Sequence, residues 1–438
     1  MYEFHPYITN DGSIGLYNND FDDIYHSAKG ALTEAYEKFI YPLDFDLLMS
    51  KKQINVLDIC YGIGYNSKTF LNFILEKYLI KNLHADSNID PIYTNNTQSN
   101  KTTYNVKIHT NNKCCKKYSN VNKSNAEIYP YNILPKISVT AIDNDKILAF
   151  LSPFIKNSAI NQKNFKIDFK YKKIEKYCNN KFDKKFTLPK INNLINYYLF
   201  DKIIQTYPEI FSNSDLDAIL GSQKYDLIFD NKMRGIFKLF KYEHNKSGKL
   251  TSFISFLHNI YYRHISNMYK SKLKRYNLKD IDFLLKCGDA RKILLSDEHK
   301  YDVVFLDAFS PTKCPCLWSL EFFKLLFNHL NNDGVILTYS TSASIRNAML
   351  NSGFIIGNIY NERENKYTGT IAAKNKNFIK YPLSKFDLGL LNTKAGIFYR
   401  DKNLTGQNEA LIDFRKIEVE NSKLMSSSEY KKLYKLTN

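Results

Sequence analysis

Seven short apolar runs, most of them separated by stretches of helical period, constrain this chain more than any other feature. They are "NVLDIC" (55–60), "ISVTAID" (137–143), "FLLKCGD" (283–289), "DVVFLD" (302–307), "GVILTYS" (334–340), "FIIGNIY" (354–360) and "TGTIAAK" (368–374). Each is too short for a buried helix and is bounded by turn residues or charge, which marks a buried strand. Helical patterns such as "SKTFLNFILEKYLI", "SLEFFKLLFNHL" and "SASIRNAMLNSG" alternate with them. That alternation predicts a mostly parallel, doubly wound α/β sheet of seven strands. The last two runs are joined too briefly for a crossover helix, so they should form an antiparallel ending.

The order breaks twice. Residues 81–136 are rich in Asn, poor in large apolar side chains and without period. Such a stretch buries too little to offset its ordering entropy, and we read it as a low-complexity insertion. Residues 155–280 exceed any simple crossover, and patterns such as "INNLINYYLFDKIIQTY" predict a helical insertion. The expected organisation is a covering segment at 1–54, a core domain at 55–380 holding both insertions, and a surface extension at 381–438 with a helix near 406–418. A further helical pattern runs from about Gly30 to Ile40.

Chemistry gathers at the strand ends. "DICYGIGYN" turns from strand to helix through Gly62 and Gly64, which permit a tight turn and close backbone approach to a ligand. Ser67 stands where a full dinucleotide fingerprint has its third glycine, so the turn alone does not define a ligand. Asp143 ends the second strand, where an acid can accept from a ribose. Asp289 ends the third and can reach an adenine amino group. Asp307 ends the fourth. Any single one of these acids has the alternative role of a helix cap. With Asp58 near the end of the first strand, four acids ending four successive strands beside a glycine turn fit S-adenosyl-L-methionine, because ligands of open α/β sheets bind at those strand ends.

The bulk numbers agree without deciding. The formal net charge is +18, which fits a polyanionic partner such as nucleic acid, although the Asn, Lys, Ile and Tyr bias of the chain inflates lysine. Seven scattered cysteines do not make a disulfide framework. Neither "CPC" (314–316) nor "CC" (114–115) has zinc-site spacing, and no metal is expected. "KLKRYNLK" (272–279) reads as a solvated helix face that can touch phosphate. No signal peptide or membrane span is visible, so a cytoplasmic protein is expected.

The stretches "DGSIGLYNNDFDDIYHSAKGALTEAYEKF" (11–39), "DICYGIGYNS" (58–67), "YDVVFLDAFSPTKCPCLWSLEFFKLL" (301–326) and "GVILTYSTSASIRNAMLNSGF" (334–354) resemble a known family. It is the methyltransferase component of the tRNA 5-methylaminomethyl-2-thiouridine biosynthesis enzyme, in its stand-alone form. The pattern LDxFxPxKxPxxW, Leu306 to Trp318, is the most specific, and the tail "LLNTKAGIFYRDKNL" also matches. The resemblance implies a Rossmann-like S-adenosyl-L-methionine-dependent methyltransferase that N-methylates the 5-aminomethyl group of the wobble uridine of tRNA. A separate enzyme would supply the aminomethyl-uridine precursor. No second glycine-rich fingerprint follows, so the flavin-dependent oxidase domain fused in some members is not expected here.

Carried over by motif, Asp58, Gly62, Gly64, Asp143 and Asp289 would bind the cofactor. Tyr25 and Ser27 of "DDIYHS" would close over its methionine end. Asp307, Phe309 and Pro311 would form the reaction site, with the acid aiming an amine and the ring holding the base. Two other functions compete: a polyamine aminopropyltransferase-like enzyme, and a tRNA-binding protein without catalysis. The first would want an acidic surface for a polycation, against the +18 charge.

Overall fold

The computed structural model describes residues 5–18, 23–26, 29–86, 134–156, 193–226, 228–244, 260, 263–271 and 280–437. Ser27, most of the 81–136 insertion, the "CC" pair and "KLKRYNLK" lie outside the described residues.

Seven strands form one sheet: β4 (Gln53–Ile59), β5 (Lys136–Asp143), β6 (Ile281–Cys287), β7 (Tyr301–Leu306), β8 (Leu330–Thr338), β9 (Ile355–Asn361) and β10 (Lys366–Ala373). Their order is β6-β5-β4-β7-β8-β10-β9. The first five are parallel, and β10 runs antiparallel to both β8 and β9. The sequence expectation of a parallel sheet with an antiparallel ending is met. The strand order reverses at β4, between β5 and β7, and a crevice opens there at the carboxyl ends.

Every residue of β7 is buried, as expected for a strand covered on both faces. Its side chains alternate: Val303 and Phe305 join one core with Phe39 and Phe70, whereas Val304 and Leu306 join a second with Trp318, Phe322 and Leu326. Within the helical stretch, helix Asn193–Thr206 lies along the edge strand β6. Tyr198 donates to Ile281 O at 2.7 Å. Tyr207 donates to Leu285 O at 3.1 Å and accepts from Cys287 N at 3.0 Å. Tyrosine hydroxyls thus pair backbone groups of an edge that would otherwise invite another strand.

A three-stranded antiparallel sheet, β1 (His5–Ile8), β2 (Ile14–Asn18) and β3 (Asp23–Ile24), precedes the main sheet. The helical pattern of 30–40 splits into helix Ala31–Glu34 and a wider π-helical turn, Ala35–Ile40. The C-terminal stretch, expected at the surface, sends Tyr399, Leu404 and Leu411 into the second core. Its helices span Asn408–Asn421 and Ser427–Thr437. Among the described residues, no helix is long and apolar enough to cross a membrane.

Candidate active site

The turn after β4 is built from left-handed backbone. Cys60 has φ 65°, Gly62 55° and Gly64 80°. The two glycines are needed for different reasons. A Cβ on Gly64 would stand 2.5 Å from the Tyr61 ring and 2.7 Å from Ser152 Oγ, so this glycine is demanded by packing. Among the described residues, a Cβ on Gly62 would meet nothing closer than Tyr25 Cδ1 at 3.8 Å, so here the backbone borders open space. Asp58, at the end of β4, is fully buried. Its Oδ2 accepts from Ser67 N at 3.1 Å and Ser67 Oγ at 2.5 Å, securing the start of helix Tyr65–Asp86. Its Oδ1 has no hydrogen-bond partner among the described residues. Burial pushes this carboxyl up to about 7.

Asp143 ends β5 and spans the crevice floor. Gly62 N donates to its Oδ2 at 2.6 Å and Asp145 N to its Oδ1 at 2.7 Å. Burial lifts it to about 6, against the pull of those amides. Asp289 lies past the end of β6, after Gly288. It caps helix Ala290–Leu295 by accepting from Arg291 N. The Arg291 guanidinium also grips the same carboxylate, with Nη2 at 2.7 Å from Oδ2, and reaches Asp401 Oδ2 at 2.7 Å. Burial opposes ionisation of Asp289, but the Arg291 bonds outweigh it and hold the carboxyl below its usual range. The acid expected to serve adenine is thus a helix cap and an ion-pair partner in this structure.

Asp307 differs from the other three. The helix after it, Leu320–His329, is capped by Ser319, so Asp307 caps no helix. Its side chain accepts from Asn66 Nδ2 at 2.9 Å. Burial pushes its carboxyl up to about 7, and the neighbouring Glu34 carboxylate adds to this. Trp318 Nε1 donates to Phe309 O at 2.8 Å, and Tyr339 Oη to Ala308 O at 2.8 Å, so both backbone carbonyls after Asp307 are pinned. Pro311 sits in the following turn, which Lys313 N and Cys314 N close on Ser310 O.

The covering segment brings the two halves together. The Tyr25 ring packs on Phe309 at 4.8 Å and faces the Gly62 turn, while its hydroxyl accepts from Asn18 at 2.9 Å. Part of the ring face expected to hold a base is therefore occupied by Tyr25. A cleft of about 550 Å³ opens beside this centre, lined in part by Glu34, Lys38, Tyr339, Arg363, Lys366 and Tyr367. Lys38 is paired with Glu34 and lies 5.5 Å over the Tyr339 ring. Asn66, Arg291 and Tyr339 were not singled out from sequence. Only Asn66, within the glycine turn's own motif, carried a local signal.

Residues 249–375, which contain β6 to β10, match the family model of S-adenosyl-L-methionine-dependent methyltransferases. The chain carries an S-adenosyl-L-methionine-dependent methyltransferase domain. An uncharacterized protein of Methanocaldococcus jannaschii is 31% identical over 159 residues, covering 33% of this chain and 44% of that protein. The tRNA 5-methylaminomethyl-2-thiouridine biosynthesis bifunctional proteins MnmC of Burkholderia vietnamiensis and Campylobacter hominis are 34% and 35% identical over 70 and 78 residues. These matches cover 16% and 18% of this chain, and 11% and 12% of those proteins. The chain thus spans less than half the length of the curated relatives it matches. The crystal structure of MNMC2 from Aquifex aeolicus superposes with a TM-score of 0.53 at 19% identity, covering 96% of this chain and 87% of that one, and shares the fold.

The methyltransferase domain has room and chemistry for its cofactor. The open side of Gly62 and the unpartnered Asp58 Oδ1 lie on the same turn. Asp58, Asp143 and Asp307 are all raised by burial, and a cationic sulfonium and ammonium would relieve that cost.

Proposed function

We propose that the methyltransferase domain N-methylates the 5-aminomethyl group on the wobble uridine of tRNA, giving 5-methylaminomethyl(-2-thio)uridine, and that a separate enzyme supplies the aminomethyl precursor. The observation that carries this is Asp307. Among the described residues it is the one strand-end acid that caps no helix and accepts from no backbone amide, and it stands beside a cleft wide enough for a nucleoside. The relatives named for tRNA 5-methylaminomethyl-2-thiouridine biosynthesis support the substrate.

Bound S-adenosyl-L-methionine supplies an electrophilic methyl group. The chain must present a neutral amine to it. A simple alkylamine has a pKa of ~10, so most of it arrives as ammonium at neutral pH. Asp307 accepts one N–H bond and aims the lone pair. With its carboxyl held at about 7, it takes the amine proton far more readily than a solvated carboxylate at 3.8 would. Asn66 fixes which way the carboxylate faces. Tyr25 and Phe309 wall off the methyl-transfer side from solvent, and Asp58, Asp143 and the Gly62 backbone hold the cofactor's methionine and ribose ends. In this reading Asp289 keeps its cap and offers a remaining lone pair to the base.

Single-turnover methylation of tRNA across a pH series tests this. Asp307→Asn should bind cofactor and tRNA near normally, with the rate lowered ~10²-fold or more, the range for loss of a general base. The defect should shrink as pH rises and more amine is already neutral. Near-normal methylation by Asp307→Asn would remove the assignment.

A further inference from the structure

The β9–β10 hairpin runs past the rest of the sheet. β10 pairs with β8 only over Thr370–Ala373, but with β9 from Lys366 onward. Since β8 ends at Thr338, opposite Thr370, residues 366–369 and their β9 partners overhang the carboxyl edge of the sheet. At ~3.3 Å per residue the overhang reaches about 13 Å. This is the edge at which β7 delivers Asp307.

The two faces of the overhang differ. One is docked on the covering segment: Asn361 donates to Glu37 at 2.5 Å, Arg363 lies 3.5 Å from Glu37, and Lys29 meets Glu364 at 2.7 Å. The other carries three tyrosines. Tyr360 and Tyr367 are direct cross-strand partners with ring centroids 5.6 Å apart, and Tyr381 closes the group at 5.3 and 6.3 Å. Tyr367 is 50% exposed. Lys380 Nζ stands 5.2 Å over the Tyr381 ring. Lys366, the cross-strand partner of Asn361 on the docked face, is ion-paired with Glu364 at 2.6 Å. Lys366 and Tyr367 also line the cleft whose inner wall includes Tyr339, the residue bonded to the carbonyl beside Asp307. Tyr367 and Tyr339, which is bonded next to Asp307, therefore line one cleft.

We propose that this overhang is a single-stranded RNA subsite, where Tyr367, backed by Tyr360 and Tyr381, stacks an unpaired nucleotide flanking the target uridine while Lys380 meets its phosphate. The proposal rests on the tRNA reading above and adds where the anticodon loop lies. Aromatic faces beside cations suit unpaired nucleotides, because every base offers a π-face and every linkage a charge. A duplex offers the charge without the exposed face.

The experiment measures the affinity of the full chain for a tRNA anticodon stem-loop and for a blunt RNA duplex of the same length. Tyr367→Leu keeps apolar bulk for the hairpin and removes the aromatic face; Tyr367→Phe restores it. Tyr367→Leu should weaken stem-loop binding roughly 5- to 150-fold, the value of one stacked base. Duplex binding, cofactor affinity and melting temperature should not move, and Tyr367→Phe should match the parent. Lys380→Gln should lower the salt slope of stem-loop binding by about one. Parent-like stem-loop affinity in Tyr367→Leu, or an equal loss on the duplex, overturns the subsite and leaves the tRNA reading standing. A parent that binds neither stem-loop nor whole tRNA overturns both.

Discussion

Replacing Asp307 by Asn should make the protein more stable at the cost of its chemistry. A carboxyl held at about 7, against 3.8 when solvated, corresponds to about 4 kcal/mol opposing ionisation. The side chain is only half-buried, so solvent screens part of this and we expect about half, ~2 kcal/mol. The sign follows from linkage. Because the folded value lies above the unfolded one, the contribution of Asp307 is most favourable below about pH 4 and is lost as pH rises through 7. Asn keeps an acceptor for Asn66 Nδ2 and has no charge to bury. In urea unfolding without cofactor, Asp307→Asn should therefore exceed the parent by ~2 kcal/mol at pH 8 and by less than ~1 kcal/mol at pH 4. A variant less stable than the parent at pH 8 would show that the carboxylate holds its loop together and is not strained by burial. The reasoning would then fail.

The two turn glycines should separate. Gly64→Ala meets Tyr61 and Ser152 at φ 80° and should cost about 3 kcal/mol, from left-handed strain and overpacking together, seen as a lower melting temperature. Gly62→Ala has room and should cost only about 1 kcal/mol, yet should weaken S-adenosyl-L-methionine binding in calorimetry by intruding on the open side of the turn. Lys68 is 1% exposed, donates to Ser152 O, and is pulled down to about 7 by burial. Its folded value lies below the solvated one, so the parent's stability should rise relative to Lys68→Met by about 1.4 kcal/mol per pH unit between pH 7 and 10. Lys68→Met should be the more stable protein at pH 7, and parallel stability curves would rule the effect out.

The main sheet was legible because its strands are uniform apolar runs with turn residues at their ends. Each lies within a few residues of its expected place, and the brevity of the β9–β10 connection gave the antiparallel ending. The small sheet β1–β3 was not, since its strands are two to five residues long and one contains Pro6. At the site, local motifs carried the glycine turn, Asp143 and Asp307, because each follows its own strand directly. What sequence could not carry was the use made of each acid. Whether a strand-end Asp caps a helix depends on partners such as Ser67, or on Arg291 held in place by Asp401 far along the chain. Lys68 was invisible for the same reason: nothing in a helical pattern says which charged residue faces the core.

The sheet order also sets how the domain can assemble. Strands β7, β8, β9 and β10 are contiguous in sequence and pair among themselves, whereas β4 must find β5 across one long connection and β5 must find β6 across another. Treating a connection as free chain, lengthening it from about 20 to about 140 residues raises its closure cost by only about 1.7 kcal/mol. Thermodynamics therefore tolerates such expansions, while kinetics does not ignore them, since distant pairings slow folding. The C-terminal half of the sheet should form early and act as the template on which β4, then β5 and β6, are laid. Hydrogen exchange during refolding should protect the amides of β8 and β10 before those of β5. The crevice at β4, where the cofactor would sit, is then the seam between an early and a late half, and a cofactor binding across it would act as the last fastening of the fold.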